Sequence, residues 1–462
     1  MKHPSQSPSA QQQRRLLAQA GNAEAYGFFN LLTGPELLED VEELLPEHRE
    51  RLFPPTETLS IFLAQVLSAD GSCRQAVNDT AVKRLVAEME ECSSNTAAYC
   101  KARARLPQTM VSTLALRTAE ILAEGVADWW LWRGRRVRLA DGATVTLADT
   151  EENQLAYPQP ASQRKGLGFP MLRVVALMCL ASGALLDAST GPCEGKGSDE
   201  QTLLRGMLDR LAHGDILLGD SFFRTYFLLC ELQRRGVDGL FEQYGARKRS
   251  TDFRTGERLG VRDHLIVWSK PKRPDWMNQE EYDQVPETLT VREFHAGGKI
   301  MVTTFLCPKD TPKGMLKALY RNRWNVELDL RNIKTTLGME HLRCKTPEMA
   351  LKELWVYLLA YNLIRLLMAQ AALLADQIPR QLSFKHTVQV WVSWQQRGGG
   401  TYDGVCIRRL LFLIARPRVG LRSGRIEPRV LKRRPKKYPL LTKPRAQARE
   451  EVRLNGHPAK QR

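Results

Sequence analysis

Between Tyr320 and Gly338 the sequence YRNRWNVELDLRNIKTTLG sets a tyrosine, an arginine, a glutamate and a lysine at Tyr320, Arg323, Glu327 and Lys334. On an α-helix, with about 100° of rotation per residue, these four fall within an arc of roughly 60°, and Arg331 joins the same stripe. Asp329 points to the opposite side, so its removal is expected to be almost silent. Val326, Leu330, Ile333 and Leu337 form a neighbouring apolar stripe able to face a core. One carboxylate thus stands among cations at the rim of a buried face. A solvated helix surface with an Arg323–Glu327 pair at i,i+4 has the same spacing, so other parts of the chain must decide between the two.

Two further acids bear on that choice. Asp141 follows the alternating stretch RRVRLA and ends the first strand of an α/β segment at an Asp-Gly turn. Asp220 ends DILLGD, whose short apolar centre reads as a buried central strand. Glu327 lies on a helix after the fifth strand. In open α/β sheets, ligands and chemistry collect at strand ends. Carboxylates converging there bind Mg²⁺, which prefers oxygen ligands, and two such ions can activate a nucleophile and stabilise the leaving oxygen in phosphoryl transfer. Arg323, Arg331 and Lys334 are then candidates to hold the phosphates beside the target bond. Tyr320 is a candidate to hydrogen-bond a phosphate or to stack on a sugar or base. Asp141 has a competing role as a plain turn residue, Asp149 is a rival acid at the end of a second alternating run, and Asp215 precedes its strand and should lie at the far end of the sheet.

The elements that must position these groups follow from the pattern. The first residues, 1–24, are polar and read as a disordered arm. Residues 25–130 lack strand signals and read as a helical domain, in which TETLSIFLAQVL and the segment after Ser-Ala-Asp-Gly form a candidate helix-turn-helix. Lys101, Arg103 and Arg105 there are either DNA contacts or a solvated helix face. Residues 131–245 alternate strand, strand, strand, helix, strand, helix, strand, with a hairpin at Ala181-Ser182-Gly183 and a capping box formed by Ser198 and Gln201. Residues 246–318 read as a β-rich insertion in which Trp268 and Trp276 are candidate base-stacking residues, with packing as the competing role. Residues 319–377 return to helix: the opening stretch, then a long apolar helix capped by Thr346 with Pro347 in its first turn. Residues 378–462 end in a basic, proline-rich tail. The fold class is α/β with a mixed sheet and helices. Trp129, Trp130 and Trp132 are expected to pack the junction before the first strand.

Bulk properties agree. The chain has 462 residues and 43% hydrophobic content, enough for a core and more than one domain. A net charge of +17 points to a polyanion, nucleic acid before membrane. Nine scattered cysteines without a C-x2-C pair suggest a reducing cytoplasm and argue against a zinc site. The N-terminus lacks a signal-peptide core, and LWVYLLAYNLI is too short to span a bilayer and reads as a buried helix. No membrane partner is expected.

The pattern Tyr320-x2-Arg323-x3-Glu327-x6-Lys334 resembles the Y-x2-R-x3-E-x6-K signature of the insertion-sequence-four family of DDE transposases, complete at all four positions. Asp141 in LADGAT and Asp220 in LLGDSFF resemble the family's two aspartates, with Phe222 standing where a glycine is usual. The likeness covers about 135 to 375, and the closing EPRVLKRRPKKYPLL is similar to family C-termini. It implies an RNase H-like catalytic core, cut-and-paste transposition, and two Mg²⁺ or Mn²⁺ ions held by Asp141, Asp220 and Glu327. It further implies double-stranded DNA partners, namely terminal inverted repeats and target, and a homodimer on paired ends in a bacterial, nucleoid-associated setting. A metal-dependent nuclease without strand transfer and a catalytically inactive DNA-binding repressor are the alternatives.

Overall fold

The computed structural model describes residues 53–86, 88, 94–195, 197–396, 404–419 and 441–456. The expected N-terminal arm, the start of the helical domain up to residue 52, and the basic run within 420–440 lie outside the described residues.

The described chain begins with helices α1 (Pro55–Leu67), α2 (Cys73–Val86), α3 (Thr96–Arg105) and α4 (Gln108–Glu124). Arg103 is buried against the Phe62 ring, its guanidinium carbon 4.0 Å from the centroid, so it is neither a DNA contact nor part of a solvated face. Trp130 is buried and Trp132 packs near Phe305, while Trp129 is half-exposed and touches the junction edge-on through Trp130.

The α/β part follows: β1 (Val137–Thr146), α5 (Glu151–Ala156), β2 (Met171–Cys179), β3 (Leu185–Pro192), α6 (Glu200–Arg205), β4 (Ile216–Leu218), α7 (Tyr226–Arg234) and β5 (Asp238–Glu242). The β2–β3 hairpin turns through Gly183 at φ +78°, a conformation glycine adopts without strain. Next come α8 (Gly245–Ser250), β6 (Glu257–Gly260), β7 (Asp263–Ser269), α9 (Gln279–Gln284), β8 (Thr288–Ala296) and β9 (Lys299–Thr303).

The nine strands among the described residues form one mixed sheet in the order β3-β2-β1-β4-β5-β9-β8-β7-β6. β1 pairs antiparallel with β2 and parallel with β4, which pairs parallel with β5. The strands of the segment expected as an insertion therefore do not stand apart. β9 pairs antiparallel with β5 at Leu240↔Thr303, and β8, β7 and β6 extend the sheet from there.

The chain closes with α10 (Lys313–Arg321), α11 (Trp324–Arg331), a π-helical turn at Asn332–Thr336, α12 (Pro347–Leu374), α13 (Phe384–Gln396), α14 (Gly404–Ala415) and α15 (Arg445–Asn455). The Thr346 side chain caps α12 by accepting from the Met349 N–H, with Pro347 in the first turn. α12 is apolar nearly all round and is wrapped by α1, α4, α13, α14 and β3. At 28 residues it is long and apolar enough to cross a membrane, which its apolar centre alone did not suggest, yet 89% of its most apolar window is buried inside the protein.

Candidate active site

The register of β1 and β4 sets two acids side by side. Leu139 pairs with Leu218, and each strand reaches its acid two residues later, at Asp141 and Asp220. Because side chains alternate along a strand, Asp141 continues the row of Leu139, and Leu139 and Leu218 face the same core as Val326, Leu330 and Ile333 of the signature segment; Asp220, past the end of β4, is near enough for its charge to act on Asp141. β4 stops at Leu218, so this edge of β1 has no strand partner from Ala140 to Val145; at Thr146 it is bridged by the segment around His341, with Thr146 N–H donating to the Glu340 carbonyl. β1 itself does not end at Asp141. It runs on to Thr146 because β2 pairs with it along its whole length, Asp141 opposite Ala176. The plain-turn reading of Asp-Gly therefore fails.

Arg323 joins the first acid to the third. Its Nη2 donates to Glu327 Oε1 at 2.6 Å, and its Nη1 lies 3.5 Å from Asp141 Oδ2. Burial pushes the Asp141 carboxyl up to about 6. The Gly142 N–H and Arg323 pull against that shift, while the charges of Asp220 and Glu327 add to it. Asp220 accepts from the Phe222 N–H at 2.8 Å, and Tyr320 donates its hydroxyl to the Gly219 carbonyl at 3.3 Å, tying α10 to the loop that carries Asp220. Burial raises the Tyr320 hydroxyl well above the usual tyrosine range. Because that hydroxyl is engaged on the backbone, Tyr320 braces the Asp220 loop. The rival acids lie elsewhere: Asp149 is exposed and accepts from Gln154, and Asp215 is buried before β4, paired with Arg138 Nε at 2.9 Å.

The signature segment is not one regular helix. Three-residue-spaced bonds, Arg323 N–H to Tyr320 O and Val326 N–H to Arg323 O, tighten the chain between α10 and α11. Lys334 sits in the π turn, where Leu337 N–H reaches back to Asn332 O. The four residues come together through three local conformations. Arg331 is exposed and Lys334 half-buried, and the side chain of neither forms a hydrogen bond or ion pair among the described residues.

Three expectations need correction. Asp329 does point away from Glu327, but into the interior at 0% exposure, not to solvent. It accepts from Arg365 Nη2 and, at 2.8 Å, from Arg380 Nη2, which also donates to the Cys179 carbonyl at the end of β2. Periodicity gave its direction and said nothing of what lay there. Trp268 is 2% exposed, its indole N–H donates to Glu293 Oε1 at 3.0 Å, and the Arg247 guanidinium covers its face at 3.9 Å; no base can stack on it. Trp276 is 46% exposed, edge-on to Phe227, with the Arg205 guanidinium 3.7 Å over its ring. Finally, Asp199, not Ser198, caps α6, accepting from the Gln201 and Thr202 N–H groups.

That shift of one residue hid a fourth acid. Glu200, the first residue of α6, lies so close to Gly142 that a Cβ there would stand 2.2 Å from its Oε1. Burial first and then the charge of Asp220 raise its carboxyl above the usual range. The Asp-Gly pair itself was the available signal, because a glycine in the middle of a strand marks a close approach. Trp324, exposed beside Arg323, was also passed over.

The donor set suits a hard divalent cation: carboxylate oxygens from separate elements, with one guanidinium already standing as a positive charge between two of them. Among the described residues, no ready-made cluster of three or more metal-ligating side chains is closed around a common point.

Residues 132–363, half of the chain, match the family described as "Transposase DDE domain". The chain is 28% identical over 357 residues, 75% of its length and 78% of the other's, to the transposase InsG for insertion sequence element IS4 of Escherichia coli (strain K12). It is 31% identical over 145 residues, 30% of its length and 46% of the other's, to the putative transposase InsZ of the same strain. Among solved structures, a cryo-EM structure of the piggyBac transposase synaptic complex with hairpin DNA superposes with a TM-score of 0.43 at 8% identity, covering 84% of this chain and 85% of that one.

Proposed function

We propose, for a chain that belongs to the DDE-domain transposases and among them to the insertion-sequence-four family, that Asp141, Asp220 and Glu327 together hold the divalent ions of its DNA-cleaving centre. As a transposase it cleaves DNA and joins it to a target; the residues that do so are the reading offered here. The observation that carries it is the Arg323 guanidinium spanning Asp141 and Glu327, with Asp220, just past the end of β4, close enough for its charge to act on Asp141. The order β3-β2-β1-β4-β5, with β2 antiparallel and β4 and β5 parallel to their neighbours, supports an RNase H-like core.

Two Mg²⁺ or Mn²⁺ ions, when bound, would supply a nucleophilic water near neutral pH and offset charge on the leaving oxygen. The chain's own groups do the rest. Asp141 offers oxygens from β1, Asp220 from the loop just after the parallel neighbour β4, and Glu327 from α11. Tyr320 orients the Asp220 loop. Arg331 and Lys334, without protein partners among the described residues, are placed to hold the phosphates flanking the scissile bond. Arg323 steadies the carboxylates and can pass its donors to a phosphate oxygen. Trp324 is exposed for stacking on an unpaired base, and Trp276, also exposed, can do so only on the side that Arg205 leaves uncovered. The partners are then double-stranded DNA at terminal inverted repeats and at a target, engaged by a homodimer on paired ends, in the bacterial cytoplasm at the nucleoid.

The test is incubation with Mg²⁺ and DNA carrying the repeats that flank the gene, with target DNA present. Cleaved ends followed by joined products support the reading. Cleavage without joining supports a nuclease, and binding alone an inactive repressor.

A further inference from the structure

Gly142 is a glycine without a conformational reason. It lies inside β1, paired with Val175, and its φ is not in the left-handed region that favours glycine. What it lacks is a side chain, and the space that side chain would fill is taken by Glu200, with Oε1 at 2.2 Å, Cδ at 2.3 Å and Oε2 at 2.9 Å from the Cβ position. The side chain of Gly142 would point to the sheet face on which α6 packs, opposite to that of Asp141. Beyond Leu218, however, no β4 residue pairs with this edge of β1, and Glu200 is close enough to the Asp220 loop for the charge of Asp220 to act on its carboxylate.

Glu200 is held there from both sides. Arg173 on β2 donates to the Ser198 carbonyl at 2.8 Å, fixing the approach to α6, and Gln201 donates to the Phe222 carbonyl at 2.6 Å, tying α6 to the Asp220 loop. The Glu200 carboxylate itself accepts no hydrogen bond and closes no ion pair among the described residues. A half-buried carboxylate brought over a strand backbone through a gap kept by glycine, attracted by the Arg173 charge but with no hydrogen bond or ion pair among the described residues, keeps its oxygens available for a ligand of positive charge.

We infer that Glu200 is a fourth carboxylate of the divalent-metal centre, contributing oxygen from α6 beside Asp141 and Asp220. This rests on the metal-holding reading of Asp141, Asp220 and Glu327. The family signature contains no counterpart of this position.

The experiment is Mn²⁺ binding by the full chain without DNA, followed by the electron paramagnetic resonance of free Mn²⁺, with melts in EDTA to check folding. The variants are Glu200→Gln and Glu200→Asp, with Glu257→Gln on the far edge strand as control. Loss of a carboxylate ligand should weaken Mn²⁺ binding by about ten-fold or more. The shortened but still charged Glu200→Asp should weaken it too, because reach as well as charge is required. If either variant binds as tightly as wild type while Asp141→Asn and Glu327→Gln lose binding, Glu200 is no ligand and the three-acid reading stands. Should Asp141→Asn, Asp220→Asn and Glu327→Gln all bind Mn²⁺ normally, the three-acid reading fails and this inference with it.

Discussion

Replacing Asp141 by Asn should stabilise the metal-free protein at pH 8 while destroying its response to metal. The Asp141 side chain is 16% exposed, and its carboxyl is raised from 3.8 to about 6. A raised folded-state value means that the fold holds a proton the unfolded chain has released. The stability from that proton is complete below pH 3.8 and is lost as pH rises through about 6. At about 1.36 kcal/mol for each factor of ten in proton affinity, ionised Asp141 costs the metal-free fold about 3 kcal/mol at pH 8. Asn mimics the protonated acid and removes that cost. If the core melts as one unit of 150–250 residues, Tm should rise by roughly 6–12 °C. Mg²⁺ at a hundred times its Kd should return about 2.7 kcal/mol to the wild type and nothing to Asp141→Asn. Melts of both proteins from pH 4 to 8, with EDTA or Mg²⁺, measure all of this. Equal Tm values at pH 8 in EDTA, or an equal rise with Mg²⁺, would refute the burial and crowding assigned to Asp141.

Other outcomes follow from the same geometry. Asp329→Ala leaves Arg365 buried without its carboxylate and should cost about 3–5 kcal/mol in denaturant titrations, where a solvent-facing acid would cost almost nothing. Lys334→Ala should keep the wild-type Tm but lose roughly ten- to a hundred-fold in single-turnover cleavage, as one charge-assisted phosphate contact of about 1.5–3 kcal/mol is removed; exposed Thr335→Ala is the control, and equal rates in the two would make Lys334 surface decoration. With a net charge of +17, DNA affinity should fall steeply with salt, and deletion after residue 425 should flatten that slope if the tail contacts phosphates.

Much of the core was legible because it rests on local rules. The hairpin through Gly183, the Thr346–Pro347 start of α12 and the succession of strands along the chain up to β5 follow from turn chemistry, capping and alternation. What was illegible depended on partners distant in sequence. Asp141-Gly142 reads locally as a turn, and only pairing with β2 carries β1 through it. The pairing of β9 with β5 cannot be seen in either strand, so how the β-rich segment joins the sheet was not legible. A uniform helical rotation across Tyr320–Lys334 missed both the tightening at Asn322–Arg323 and the π turn. It also assigned Asp329 to solvent, since Arg365 and Arg380 come from later elements. Trp268 was indistinguishable in type from Trp276, and only the β7–β8 pairing with Glu293 nearby decides that it packs.

The most direct test of the three-acid centre is single-turnover cleavage of transposon-end DNA in Mg²⁺ by Asp141→Asn, Asp220→Asn and Glu327→Gln, with gel shifts on the same DNA in EDTA. Each variant should bind DNA as the wild type does and lose roughly a hundred-fold or more in cleavage, because several kcal/mol of transition-state stabilisation depend on the ions these groups hold. Wild-type cleavage by any one of the three would contradict its place in the centre.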